Sequence, residues 1–225
     1  MKSLRSLHVA SSIGLLAFWV ISVCSPAIEA TGARCRVEPA ENPSFSSYRI
    51  DANRSNFMVH VGVSGLLSGF AHNHNIAIRG VSGEVGFQPD NPNASSLRMT
   101  VDSNSLAVTD KISDKDRQQI EATTRDEVLE SSKFPQIIFK STEVSMTKTG
   151  EGQYEAKVFG DLTLHGVTRH GLINAKIEVS GNTIRARGEF PLRQTEYNIK
   201  LVSVAGGTVK VKDELRFTFD IVAVS

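Results

Sequence analysis

From Tyr48 onward, apolar side chains recur at every second position. A chain patterned in this way is confined to strands with one greasy face and one wet face. In residues 56–63, NFMVHVGV, Phe57, Val59, Val61 and Val63 fall on one side, and His60 and Gly62 on the other. The same parity recurs in Leu97, Met99 and Val101; in Ala156, Val158, Gly160, Leu162 and Leu164; in Ala175, Ile177 and Val179; in Ile184, Ala186, Gly188 and Phe190; and in Leu215, Phe217, Phe219, Ile221 and Ala223. Clusters that accept turn geometry separate these runs at 89–93 (PDNPN), 148–152 (KTGEG) and 180–182 (SGN). Connections so short favour antiparallel hairpins over crossovers, and about ten such segments predict a sandwich or barrel.

One segment breaks the alternation. Residues 113–129, SDKDRQQIEATTRDEVL, are rich in helix formers and space Ile120, Thr124, Val128 and Leu129 along one side, with Asp114 and Asp116 in the first turn. This predicts one helical segment around 113–130, lying across the end or side of a barrel and stopped by Phe134-Pro135. Before the strands, Lys2 and Arg5 precede an uncharged apolar run at 13–23, followed by small residues at Ala27 and Ala30. That is the pattern of a secretory leader, too short to span a bilayer. The reading is therefore a signal peptide at 1–30, cleaved near Ala27 or Ala30, a flexible tail at 31–46 and one barrel domain at 47–225, in the periplasm or secreted. Cys24 is a poor lipidation site because Val23 stands where a small residue is wanted. Cys35, in the tail, has no internal partner once the leader is gone.

The chain carries 25 basic and 24 acidic residues, and removing Lys2, Arg5 and Glu29 with the leader leaves the two signs equal. Such a balance offers no electrostatic footprint for nucleic acid. The histidines are the remaining chemistry. His165, in GDLTLHGVTR at 160–169, precedes Gly166 between two strands, where a two-residue hairpin loop wants positive φ at both positions; it reads as a turn residue. In SGFAHNHNIAIRG, at 68–80, an unbroken strand would put His72, His74, Ile76 and Ile78 on one face. Two histidines so spaced can reach zinc or copper, with His60, His170 or a carboxylate as the third ligand, so a metal site at His72 and His74 stands as the alternative to a pocket lining. No nucleophile elbow, phosphate-binding glycine loop or Cys-x-x-Cys pair is present, and the expectation is that the protein is not an enzyme.

Several stretches resemble one family in order. GDLTLHGVTR looks like a signature of the YceI-like family, and YRIDANRSNFMVHV at 48–61, SSKFPQIIFKSTEV at 131–144, FPLRQTEYNI at 190–199 and VKDELRFTFDIVA at 211–223 are similar to its opening, post-helical, late and closing segments. The chain departs from it at Val128-Leu129, where the family commonly carries adjacent phenylalanines, and at Phe70-Ala71-His72-Asn73-His74. The resemblance implies an all-β, antiparallel, lipocalin-like β-barrel that binds an isoprenoid lipid, either a polyprenyl chain or an isoprenoid quinone, and no other cofactor. On the strand parity, the cavity lining is assigned to Phe57, Val59, Val61, His72, His74, Ile76, Ile78, Val158, Leu162, Phe217 and Phe219. Small residues, Gly160, Ala175, Ala186 and Gly188, are expected to leave room inside, and His72, His74 and Arg79 to supply polar contacts. A carrier of this kind touches membrane surfaces transiently; self-association as a homodimer is left open. The rival readings are a metal- or haem-linked redox accessory using His72 and His74, and a ligand-free structural module.

Overall fold

A tight turn between two strands requires residues that accept positive φ, and this chain places them at its hairpin tips. His165 (φ 50°) and Gly166 (φ 74°) form one tip, and Gly152 and Gly181 serve two others. In a computed structural model, residues 46–65 and 73–225 are described, the side chains of 204 and 205 excepted. The leader, the tail through residue 45, Cys35 and His72 lie outside the described residues.

The strands are β1 (Ser46–Ile50), β2 (Asn56–Val61), β3 (Val63–Ser64), β4 (His74–Ile78), β5 (Val81–Phe87), β6 (Ser96–Asp102), β7 (Leu106–Val108), β8 (Gln136–Gly150), β9 (Gln153–Leu164), β10 (Val167–Ser180), β11 (Thr183–Arg193), β12 (Ser203–Val204), β13 (Val209–Val211) and β14 (Glu214–Val224). Eight of them, in the order β1-β5-β6-β8-β9-β10-β11-β14, close on themselves through a β1–β14 pairing. The expected all-β, lipocalin-like barrel is what forms, and closure removes most of the exposed edges. β14 carries a third neighbour: Arg216 to Asp220 pair with β2, which continues to β4 and β7. A separate sheet, β12-β13-β3, lies beside it.

One helix, α1 (Asp114–Thr123), begins where predicted. Ser113 caps it by accepting from the Asp116 backbone N–H at 3.1 Å. The α-helix is shorter than the sequence pattern suggests, because a single wide turn over Thr124–Val128 follows, with the Leu129 N–H reaching back to the Thr124 carbonyl at 2.9 Å. The stop is also not Phe134-Pro135. Glu130 takes φ 44° directly after that turn and reverses the chain, and Pro135 only leads into β8.

The interior follows the alternation. Phe57, Phe139, Val158, Ile177, Ile184, Phe219 and Ile221 form the main buried cluster. A second cluster gathers Leu129, Leu164, Leu192, Tyr197 and Ile199, and a third Val59, Ile76 and Val108, against which Ile120 of α1 packs. The expectation that inward glycines make room holds only in part. A Cβ on Gly160 would lie 2.5 Å from the Phe139 ring, and one on Gly188 2.6 Å from the Phe219 ring. These glycines therefore seat aromatic rings from neighbouring strands, and Gly160, unlike Gly188, still borders a cavity.

Candidate functional site

Inside the barrel are two adjoining chambers. The first, of about 530 Å³, lies under α1 and the turn after it. Val59, Val61, His74, Ile76, Ile78, Leu106, Ile120, Val128, Leu129 and Phe217 are among its walls. The second, of about 480 Å³, is lined by Val158, Leu162, Ala175, Ala186, Phe219 and Ile221 among others. Phe57, Met99, Leu162, Phe190 and Leu192 line both and form the junction. Each volume falls in the range of a small-molecule site.

The second chamber reaches the outside through the barrel wall. β10 and β11 pair from Ser180↔Thr183 to Asn174↔Glu189, and the ladder then stops. Continuing it would set Leu172 against Pro191, which has no N–H to give, while the Phe190 ring is held by stacking on Phe217 at 4.9 Å. Among the described residues, no strand pairs with residues 167–173 of β10 on that side. Arg169, His170, Leu172, Arg193 and Glu196 rim the resulting seam. Among the described residues, Leu172 is the one large apolar residue that stands exposed, at 42 %. The 3₁₀ turn Gln194–Tyr197 lies at the seam's end, where Arg169 Nε donates to the Glu196 carbonyl at 3.1 Å.

The first chamber has a roof, and His165 holds it. Its Nε2 lies 2.8 Å from the Glu130 carboxylate at the close of the helical segment and its Nδ1 3.2 Å from the Tyr197 carbonyl, while Phe134 packs on the ring at 4.5 Å. The side chain is only 11 % exposed. His165 is thus the turn residue its sequence context predicts and also a clasp joining the β9–β10 hairpin, the helix end and the turn at Tyr197. Glu130 stands far away in sequence, so only the fold could reveal it.

Ten of the eleven residues assigned to the lining by parity, all but His72, border one chamber or both. The same parity on β6 and β11 also pointed to Met99 and Phe190, and the helix face to Ile120 and Val128. Leu106, Ile199 and Val202 come from short segments with no such signal. Arg79 is not among the lining; it is exposed at the corner after β4, on the opposite parity. The histidines weighed as metal ligands are held separately. His60 lies 2.8 Å from Asn75 and 3.0 Å from Thr218, His170 2.8 Å from Asp161, and His74 2.9 Å from Asp110. Among the described residues, no three His, Cys, Asp or Glu side chains come together as a metal site would need. Burial of Asp110 raises its carboxyl, but hydrogen bonds from His74 and Asn75 outweigh that and hold it below the usual carboxylate range.

Residues 48–223 match the YceI-like domain. Protein YceI of Salmonella arizonae is 28% identical over 168 residues, which are 75% of this chain and 74% of that protein. Among solved structures, Burkholderia cenocepacia BcnA shares the fold with a TM-score of 0.58 at 21% identity, over 78% of this chain and 99% of that one. A polyisoprenoid binding domain from Saccharophagus degradans, implicated in plant cell wall breakdown, does so with a TM-score of 0.56 at 13% identity, over 79% and 98%.

Proposed function

Because the chain belongs to the YceI-like domain family, we propose that it is a binding protein, not an enzyme, whose barrel holds an isoprenoid lipid and carries or sequesters it outside the cytoplasm. The observation that carries the reading is the pair of adjoining chambers of about 530 and 480 Å³, walled by aliphatic and aromatic side chains. Their shared junction suits a chain long enough to occupy both. The seam between β10 and β11 supplies a way in for a slender apolar tail. Export rests on the leader pattern at 1–30.

The energetics are adequate. Removing a chain of roughly fifteen carbons from water is worth about 12 kcal/mol at about 0.8 kcal/mol per methylene-sized group. Subtracting about 4 kcal/mol for association leaves about 8 kcal/mol, a micromolar complex. Such binding tells chain from water but not one chain from another, so selectivity has to come from the few polar groups at the walls.

Extraction of the purified protein into organic solvent followed by mass spectrometry tests this. A co-purifying isoprenoid, or saturable uptake of an added isoprenoid quinone at micromolar concentration, is the expected result. An empty barrel that takes up neither a quinone nor a polyprenol would reject it.

A further inference from the structure

A chain of hydrogen bonds crosses the wall of the roofed chamber, and its direction can be read from its members. Thr218 Oγ1 lies 3.0 Å from His60 Nε2, and His60 Nδ1 2.8 Å from Asn75 Oδ1. Asn75 Nδ2 donates to Asp110 Oδ1 at 3.0 Å, and the Asn75 backbone N–H donates to Asp110 Oδ2 at 3.1 Å. His74 Nδ1 completes the series, 2.9 Å from Asp110 Oδ2. Turning the Asn75 amide over would aim its oxygen at the Asp110 carboxylate, so the orientation is fixed by its neighbours. Asp110, ionised and able only to accept, takes the Nδ1 proton of His74. In the singly protonated ring, Nε2 is then left as an acceptor. It has no partner among the described residues, on a side chain that lines the 530 Å³ chamber and is 24 % exposed.

We propose that His74 is the head-group contact of the cavity, its Nε2 accepting a hydrogen bond from a hydroxyl on the ligand, as an isoprenoid alcohol or a hydroquinone carries. The inference rests on the lipid-binding reading and adds to it a polarity: the site favours a head that donates over one that only accepts. The surrounding walls are mostly apolar, Ile76, Ile120 and Phe217 among them, and the other polar side chains of the lining are Gln119, Thr123, Thr124 and Gln194. A hydroxyl brought there finds few other acceptors, which makes one bond count for selectivity.

Two ligand pairs and one variant test it on the full-length chain. Farnesol is titrated against its methyl ether, and a short-chain isoprenoid hydroquinone against its quinone under anaerobic conditions. The donating member of a pair should bind about three- to tenfold more tightly, the worth of one hydrogen bond. A preference in the alcohol pair alone assigns a prenol, and one in the quinone pair alone a quinol. Asp110→Asn should invert the quinone pair. The Asn75 side chain and its backbone N–H both reach Oδ1, at 3.0 and 3.2 Å, and keep the amide oxygen at that position, so the amide NH₂ faces His74 Nδ1, moves the ring proton to Nε2 and makes it a donor to a quinone carbonyl. Equal affinities within both pairs for the unaltered protein would overturn the assignment while leaving lipid binding standing, as would a folded Asp110→Asn protein with unchanged preference. Failure of all four ligands to bind would overturn the lipid reading and this inference together.

Discussion

The chamber beneath the helix and the chamber beside the seam are built from the same inward faces, yet they are closed in different ways. Over the first, α1 and the wide turn after it lie on the strands, and His165 locks that cover through Glu130 and Tyr197. Beside the second, the β10–β11 ladder runs out at Asn174 and Glu189, and nothing described pairs with the strand edge beyond. Alternation of side chains thus makes a cavity, but elements outside the alternation decide what covers it.

The sharpest way to break that division is to block the junction. Leu162 borders both chambers, and Leu162→Trp should leave the barrel folded while an indole fills the passage. A chain of about thirty carbons should then bind about a hundredfold more weakly, or about 2.7 kcal/mol, whereas a ten-carbon chain that needs one chamber keeps its affinity within about threefold. Parallel titrations with prenols of both lengths check this. Equal losses would mean a single undivided cavity, and an unfolded variant would mean a wall packed solid.

A smaller effect should come from the roof alone. His165→Gly keeps the positive φ of the turn, so it removes only the clasp. We expect a loss of about 2 kcal/mol in urea unfolding, from two half-buried hydrogen bonds and the contact with Phe134. Hydrogen exchange should rise first in α1 and last in β10–β11. A residue that merely shaped the turn would give no loss.

The mildest perturbation is acid. The folded carboxyls of Asp110, tied to His74 and Asn75, and of Asp220, held chiefly by Arg185 on the outer wall, titrate below the ordinary value near 3.8. A lowered folded pKa means that their stabilisation is complete above that value and is lost as pH falls through the depressed one. The urea midpoint should therefore hold from pH 7 to 5 and decline below about pH 4. The decline should be shallower in Asp110→Asn, whose residue 110 no longer titrates.

What could be read from residues alone follows the same division. Period two is a local property, and it assigned Phe57, Val59, Ile76, Val158 and Phe219 to the interior before any partner strand was known. Helix formers, with Asp114 and Asp116 in the first turn, announced α1 for the same reason. The seam was not legible, because it depends on where two strands part. Pro191 was visible in the sequence, but its meaning required knowing which strand it would face. Nor was the link from His165 to Glu130, or from His74 to Asp110, since each joins segments that only the closed sheet brings together. Gly188 misled in the same way: a small residue on the inner parity signals space, and only the fold shows that Phe219 has taken it.

β14 meets β1, β2 and β11. A nascent chain that emerges N-terminus first, from a ribosome or a translocation pore, therefore holds two separate ribbons, β1-β5-β6-β8-β9-β10-β11 and β2-β4-β7, with bare rims until this late strand appears. Joining distant parts of a chain is slow, and unjoined rims invite aggregation in the interval. Any factor that guards the young polypeptide has to hold it until β14 arrives.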